Sequence, residues 1–144
     1  MGCGVSEAID LRWTDFDLEA TRERPFWVRR LKGSKSTMHT LEPDTARLLL
    51  RARQRADGIY VFRSERGGPL STDVVRVICE RAGRAAGFGF RVRPHMFRHA
   101  AGFALAETGT DTRLIQDFLG HKDIKSTVIY TETSQRRLAG VRVR

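Results

Sequence analysis

Apolar residues recur at helical spacing over most of this chain, and one stretch breaks the rhythm. From Pro43 to about Ala56 the apolar positions Ala46, Leu49, Leu50 and Ala52 gather near one face, and a proline at the first position of a helix loses no hydrogen bond. Val74, Val75, Ile78, Cys79 and Ala82 repeat the pattern behind a Ser71 or Thr72 cap, and Gly87 and Gly89 end it. Pro94 opens another helix that reaches Glu107 and stops at Gly109. Asp111 caps a fourth, from Thr112 to Leu119, whose apolar face is Leu114, Ile115, Phe118 and Leu119. Short helices are predicted over Val5 to Leu11 and Ile124 to Tyr130. The exception lies between Phe16 and Leu41. There Phe26-Trp27-Val28 and the residues from Met38 to Leu41 read as extended segments around a Lys32-Gly33-Ser34-Lys35 turn. Ile59 to Phe62 is a short strand or extended stretch before a Gly67-Gly68-Pro69 turn. The predicted fold class is mainly α with a small antiparallel β-sheet (α+β), in one domain spanning residues 1–144, long enough to bury a core.

Composition narrows the function classes. Lys and Arg number 26, only four of them lysine, against 17 acidic residues, for a formal charge of +9. A surface of that sign suits a polyanion, and nucleic acid is the commonest one. The bland alternative is a merely well-solvated basic surface. Two cysteines cannot make a disulfide framework, no secretory or membrane segment is legible, and a reducing, cytoplasmic location is expected.

The chemistry concentrates in the last third. Arg98 lies three residues after His95, so the two share a helix face, and His99 follows directly. Gly120 reads as a helix C-cap that sets His121 on a loop, and Tyr130 comes nine residues later. Taken singly, each has an ordinary structural explanation: partly buried, hydrogen-bonded histidines and an amphipathic core tyrosine. Zinc held by His95, His99 and His121 lacks an evident carboxylate near them in sequence. Together they are the parts for metal-free phosphodiester cleavage: a bidentate guanidinium for phosphate, imidazoles to donate or move protons, and a phenol as covalent nucleophile.

His95-Met-Phe-Arg98-His99, Leu119-Gly120-His121 and Tyr130 resemble the signature of the tyrosine site-specific recombinases, the phage-integrase family. The stretch from Gly2 to Asp17 is similar to the family's opening Gly-x-Arg-x-Ser-Glu segment, and Lys32-Gly33-Ser34-Lys35 to its β-hairpin lysine motif. Residues Pro94 to Ala106 and Asp111 to His121 look closest to the small bacterial invertases that switch fimbrial promoters. The resemblance implies the catalytic domain of such an enzyme, N-terminally truncated because Met1 falls inside the first motif. Helices expected before that motif, and a core-binding domain, are then missing, which would leave apolar faces uncovered.

The same resemblance implies roles. Tyr130 attacks the scissile phosphorus, Lys32 protonates the leaving 5′ oxygen, Arg98 clamps nonbridging oxygens, His121 donates a further hydrogen bond, and His95 assists proton movement at the nucleophile. Arg29, Arg30, Lys35, Arg91 and Arg93 are expected on the DNA backbone. The partners implied are double-stranded DNA and further copies of the chain assembled on it in the nucleoid, with no metal, no cofactor, no small-molecule substrate and no membrane. One position departs from the pattern: Gly4 stands where the family carries its first phosphate-gripping arginine. That leaves three readings: an active or residual recombinase, an inactive DNA-binding regulator of the same fold, and, furthest off, a type IB topoisomerase relative.

Overall fold

The computed structural model describes residues 3–30 and 36–134. Among them are six α-helices and a two-stranded hairpin: α1 (Val5–Ile9), β1 (Pro25–Val28), β2 (Thr37–Thr40), α2 (Pro43–Gln54), α3 (Thr72–Ala85), α4 (Pro94–Glu107), α5 (Thr112–Leu119) and α6 (Lys125–Thr133). A single 3₁₀ turn, Trp13–Asp15, follows α1.

The helix boundaries follow local chemistry. The Ser71 side chain accepts from Val74 N–H at 3.2 Å to start α3. Asp111 accepts from Arg113 and Leu114 N–H at 2.9 and 3.4 Å to start α5. Each cap satisfies amides that have no partner inside the helix. At the far end of α5, Gly120 adopts φ +71°, a left-handed conformation in which a Cβ would be strained.

β1 and β2 pair antiparallel, with Phe26 opposite His39 and Val28 opposite Thr37. Phe26 and Val28 of β1 join Leu11, Trp13, Leu41, Ala46 and Leu49 in one core. Ile59 to Phe62 forms no full strand. It is pinned instead by backbone bonds from Trp13 N–H to the Ile59 carbonyl and from Val61 N–H to the Leu11 carbonyl, both 3.0 Å. A second core lies between α4, α5 and α6, built from Ala106, Ile115, Leu119 and Tyr130. Gly83 on α3 lets Val92 approach, since a Cβ there would sit 2.3 Å from a Val92 methyl.

The mainly helical reading with one small sheet is therefore what the chain adopts, with small differences. α1 ends at Ile9 rather than Leu11, and α6 continues past Tyr130 to Thr133. On α2 only Ala46 and Leu49 are buried, and Ala52 faces solvent. The apolar face of α3 is largely uncovered, with Val74, Val77 and Ile78 at 43%, 48% and 51% exposure.

His39 occupies an unusual place for a polar strand residue. It is buried between the Phe26 and Phe118 rings, at centroid distances of 5.5 and 5.0 Å. Burial, with help from the neighbouring Arg30 guanidinium, pushes its imidazole down to about 4. The unfolded chain takes up this proton near pH 6.5, whereas the folded chain resists it until about pH 4. Stability from this group is thus complete above pH 6.5 and declines as pH falls toward 4, by up to about 3 kcal/mol. Urea unfolding at a series of pH values across that window will show the decline, and the His39→Gln variant will show a flatter profile.

Candidate active site

The candidate groups gather around the second core. α4 presents Arg98 and His99, the turn after α5 presents His121, and α6 brings Tyr130 up to both histidines. The Tyr130 hydroxyl lies 2.8 Å from His99 Nδ1. The His121 ring lies nearly parallel to the tyrosine ring at 6.2 Å, and its Nδ1 is 2.9 Å from the Thr127 hydroxyl. Thr127 sits one turn before Tyr130 on the inner face of α6 and is fully buried. It therefore ties the His121 loop to the helix that bears the phenol.

Tyr130 itself is 1% exposed. Its ring packs edge-on against Phe103 at 5.0 Å and lies flat over Gly102. Burial raises its phenol above the usual value, and Arg98 opposes this in part. Burial also lowers His121, reinforced by Arg98, His99 and Arg30, which favours its neutral form. The Arg98 guanidinium, half-buried, is lowered by desolvation and supported by Glu7.

Glu7 is the acidic member of the site. Its Oε2 accepts from Gly4 N–H at 2.7 Å and from Arg30 Nη1 at 2.9 Å, and it forms an ion pair with Arg98 Nη1 at 3.7 Å. Gly4 has an ordinary extended conformation, φ −72° and ψ 164°. A Cβ built on it would meet Arg98 Nη1 and Glu7 Oε2 at 3.6 Å each. A side chain at position 4 would thus enter the site directly beside Arg98, without a clash.

The sequence-selected residues divide into three groups. Arg98, His121 and Tyr130 come together. His95 is exposed and meets the cluster only through an edge contact with His99 at 5.7 Å. It is His99, not His95, that holds the tyrosine hydroxyl. Lys32 and Lys35 lie outside the described residues. Of the residues expected on DNA, Arg91 and Arg93 are exposed, and Arg29 is partly exposed while bonding Asp15 at 2.6 Å. Arg30 departs from the expectation: its side chain is 0% exposed and has no surface to offer a DNA backbone. The sequence reasoning gave no role to His99, Glu7 or Thr127. The available signals were the His95–His99 spacing of one helical turn, the acidic residue three positions past Gly4, and the Thr127–Tyr130 spacing on one face of α6. No grouping of three or more His, Cys, Asp or Glu able to hold a metal occurs among the described residues.

This arrangement on this set of helices defines the catalytic domain of a tyrosine recombinase. The crystal structure of XerA recombinase matches with a TM-score of 0.79 and 30% identity, over 95% of this chain and 51% of that one. XerH site-specific recombinase bound to its difH substrate matches with a TM-score of 0.80 and 25% identity, over 95% of this chain and 41% of that one. The chain belongs to the phage integrase family, matching it over residues 1–137. It is 42% identical to the type 1 fimbriae regulatory protein FimE of Escherichia coli K12, over 97% of this chain and 73% of that protein. It is 40% identical to FimB of the same strain, over 97% and 72% respectively. The likeness to the fimbrial-switch invertases expected from the motifs is borne out, and the chain spans about half or less of the two matched recombinase structures.

The close approach of Tyr130 to Gly102 has a direct consequence. A Cβ at position 102 would fall 2.9 Å from Tyr130 Cε2 and Cζ, too near for a ring packed on its other edge by Phe103. Gly102→Ala gains about 1 kcal/mol of helix propensity but costs about 1–3 kcal/mol in overpacking, and it moves the hydroxyl off His99. Chemical denaturation will show a net loss of stability, and NMR of the His99 ring will show its tyrosine partner displaced.

Proposed function

We propose that this chain performs site-specific DNA strand cleavage and rejoining through a 3′-phosphotyrosine, and does so slowly as it stands because position 4 is glycine. The observation that carries this reading is the Tyr130 hydroxyl held 2.8 Å from His99, with Arg98 and His121 on adjoining elements.

The chemistry follows from these groups. With its ring proton on Nε2, His99 accepts the phenol hydrogen at Nδ1 and takes the proton as Tyr130 Oη bonds to phosphorus. Arg98 binds nonbridging oxygens with paired N–H groups, and His121 donates from Nε2 to a third oxygen as charge builds there. The bond to the 5′ oxygen breaks, and a proton from Lys32 caps it. The phosphate ester energy is kept in the protein–DNA bond, so attack by another 5′-hydroxyl reverses the step without ATP or metal. The Tyr130 ring is 1% exposed, and its hydroxyl points to His99, which is itself exposed, so a phosphate would approach from that side.

Double-stranded DNA is the partner this reading requires, with Arg29, Arg91 and Arg93 contributing affinity that weakens as salt rises. Several copies act together on DNA in the cytoplasm, at the nucleoid. A second reading, a regulator that occupies recombination sites without cutting, is favoured by Gly4 alone. Loss of one donor from a comparable charge-stabilising site lowers rate by about 10²–10³.

The test is a nicked suicide duplex drawn from the DNA flanking the gene, with covalent adduct resolved on denaturing gels. The expected order is no adduct for Tyr130→Phe, a slow adduct for the parent chain, and formation about 10² or more faster for Gly4→Arg. Equal rates for the parent and Gly4→Arg would sink the explanation based on position 4. Sequence-specific binding with no adduct from any variant would transfer the conclusion to the regulator reading.

A further inference from the structure

We propose that Arg30 is a positioning residue of this site, a buried guanidinium that fixes the Gly120–His121 turn and the Glu7 carboxylate relative to Arg98. The expectation from sequence was a hairpin-surface arginine on the DNA backbone. The structure turns it inward and surrounds it with partners from three elements. Nη1 donates to Glu7 at the end of the first turn of α1 at 2.9 Å. Nη2 donates to the Phe118 carbonyl in the last turn of α5 at 2.6 Å and lies 3.3 Å from His39 Nε2. Nε donates to the Thr37 hydroxyl of β2 at 3.2 Å.

The guanidinium lies against the glycine that precedes His121. A Cβ on Gly120 would fall 2.6 Å from Arg30 Cζ and Nε, so the turn closes over Arg30 only because that residue has no side chain. One planar, five-donor group therefore sets the distance between α1, the turn end of the hairpin and the loop that carries His121. Glu7 in turn stands between Arg30 and Arg98, engaged by the first at hydrogen-bond distance and by the second at 3.7 Å. A lysine in this place keeps the charge but cannot donate in one plane to three elements at once. Because the charge is out of water, it also biases the pocket toward an anion from beneath without touching it.

The anion named here, a DNA phosphodiester, rests on the recombinase reading, whereas the positioning role does not. The test separates them by using the full chain in two states. Without ligand, the ring titration of His121 is followed by NMR in the parent chain and in Arg30→Lys, Arg30→Met and Leu49→Val. The groups facing His121 are Arg98 and His99 from α4, Arg30 just after β1, and Thr127 and Tyr130 from α6. Inorganic phosphate is then added and read at the Arg98 Nε–H and His121 signals.

Arg30→Met is expected to move the His121 titration upward and to weaken phosphate binding about tenfold. Arg30→Lys recovers part of the titration shift but less of the phosphate affinity, because charge returns without the planar geometry. If the methionine variant does not fold, the lysine variant carries the same comparison. Leu49→Val loosens the other core and leaves both readouts in place. An unchanged His121 titration and unchanged phosphate affinity in a folded Arg30 variant would overturn the proposal, as would equal shifts in Leu49→Val. If the His121 titration follows Arg30 while phosphate binds no variant, the positioning role stands and the recombinase reading fails.

Discussion

A charged guanidinium taken wholly out of water must be matched on nearly every N–H, and much of this structure follows from that demand at Arg30. Unpaired, such a group would cost several kcal/mol. Its needs are met by a carboxylate at Glu7, a hydroxyl at Thr37 and a main-chain carbonyl at Phe118, three points on separate elements. The hairpin, α1 and the end of α5 are thereby fixed to one rigid plane. The same contact constrains Gly120, whose left-handed conformation and crowded surroundings both exclude a side chain.

The other half of the site is set by packing. Tyr130 belongs to the core of α4, α5 and α6 as fully as Ile115 or Leu119 does. Gly102 makes the face on which its ring lies, and Phe103 closes one edge. Only the hydroxyl leaves this apolar setting, toward His99. Burial favours the neutral phenol, and the contacts that hold the Tyr130 ring are the same ones that hold α6 against α4 and α5.

How much of this the sequence discloses depends on how local the cause is. The limits of α4 and α5 were readable because Pro94, Gly109, Asp111 and Gly120 act within a turn of where they stand. The extended course of Ile59 to Phe62 was readable too, but its pairing was not, because its partners lie near Leu11 and Trp13, far away in sequence. Arg98, His121 and Tyr130 were found because their chemistry and spacing coincide. His99 was not assigned, since the sequence shows only that it is near His95 and Arg98, not which of the two rings faces α6. Arg30 was misplaced for a general reason: a charged residue beside a turn reads as surface, and only the positions of Glu7, Thr37 and Phe118 in space reverse that. Uncovered apolar faces were expected, but that the face of α3 is one of them was not legible, because periodicity reports a face and not what covers it.

Three glycines at this site are glycine for different reasons, and the difference bears on what position 4 means. Gly120 is required by its backbone and by Arg30, and Gly102 by the tyrosine ring above it. Gly4 is required by neither. Its backbone is ordinary, its nearest neighbours would sit at normal van der Waals distance from a Cβ, and those neighbours are Arg98 and Glu7. Nothing in the packing demands the missing side chain, and the space it leaves opens onto a guanidinium and a carboxylate suited to flank a second guanidinium. The fold therefore tolerates glycine at this position without depending on it. Under the proposed mechanism its effect would fall on the phosphate-binding chemistry, where Arg98 and His121 would act without the donor that an arginine at position 4 would add.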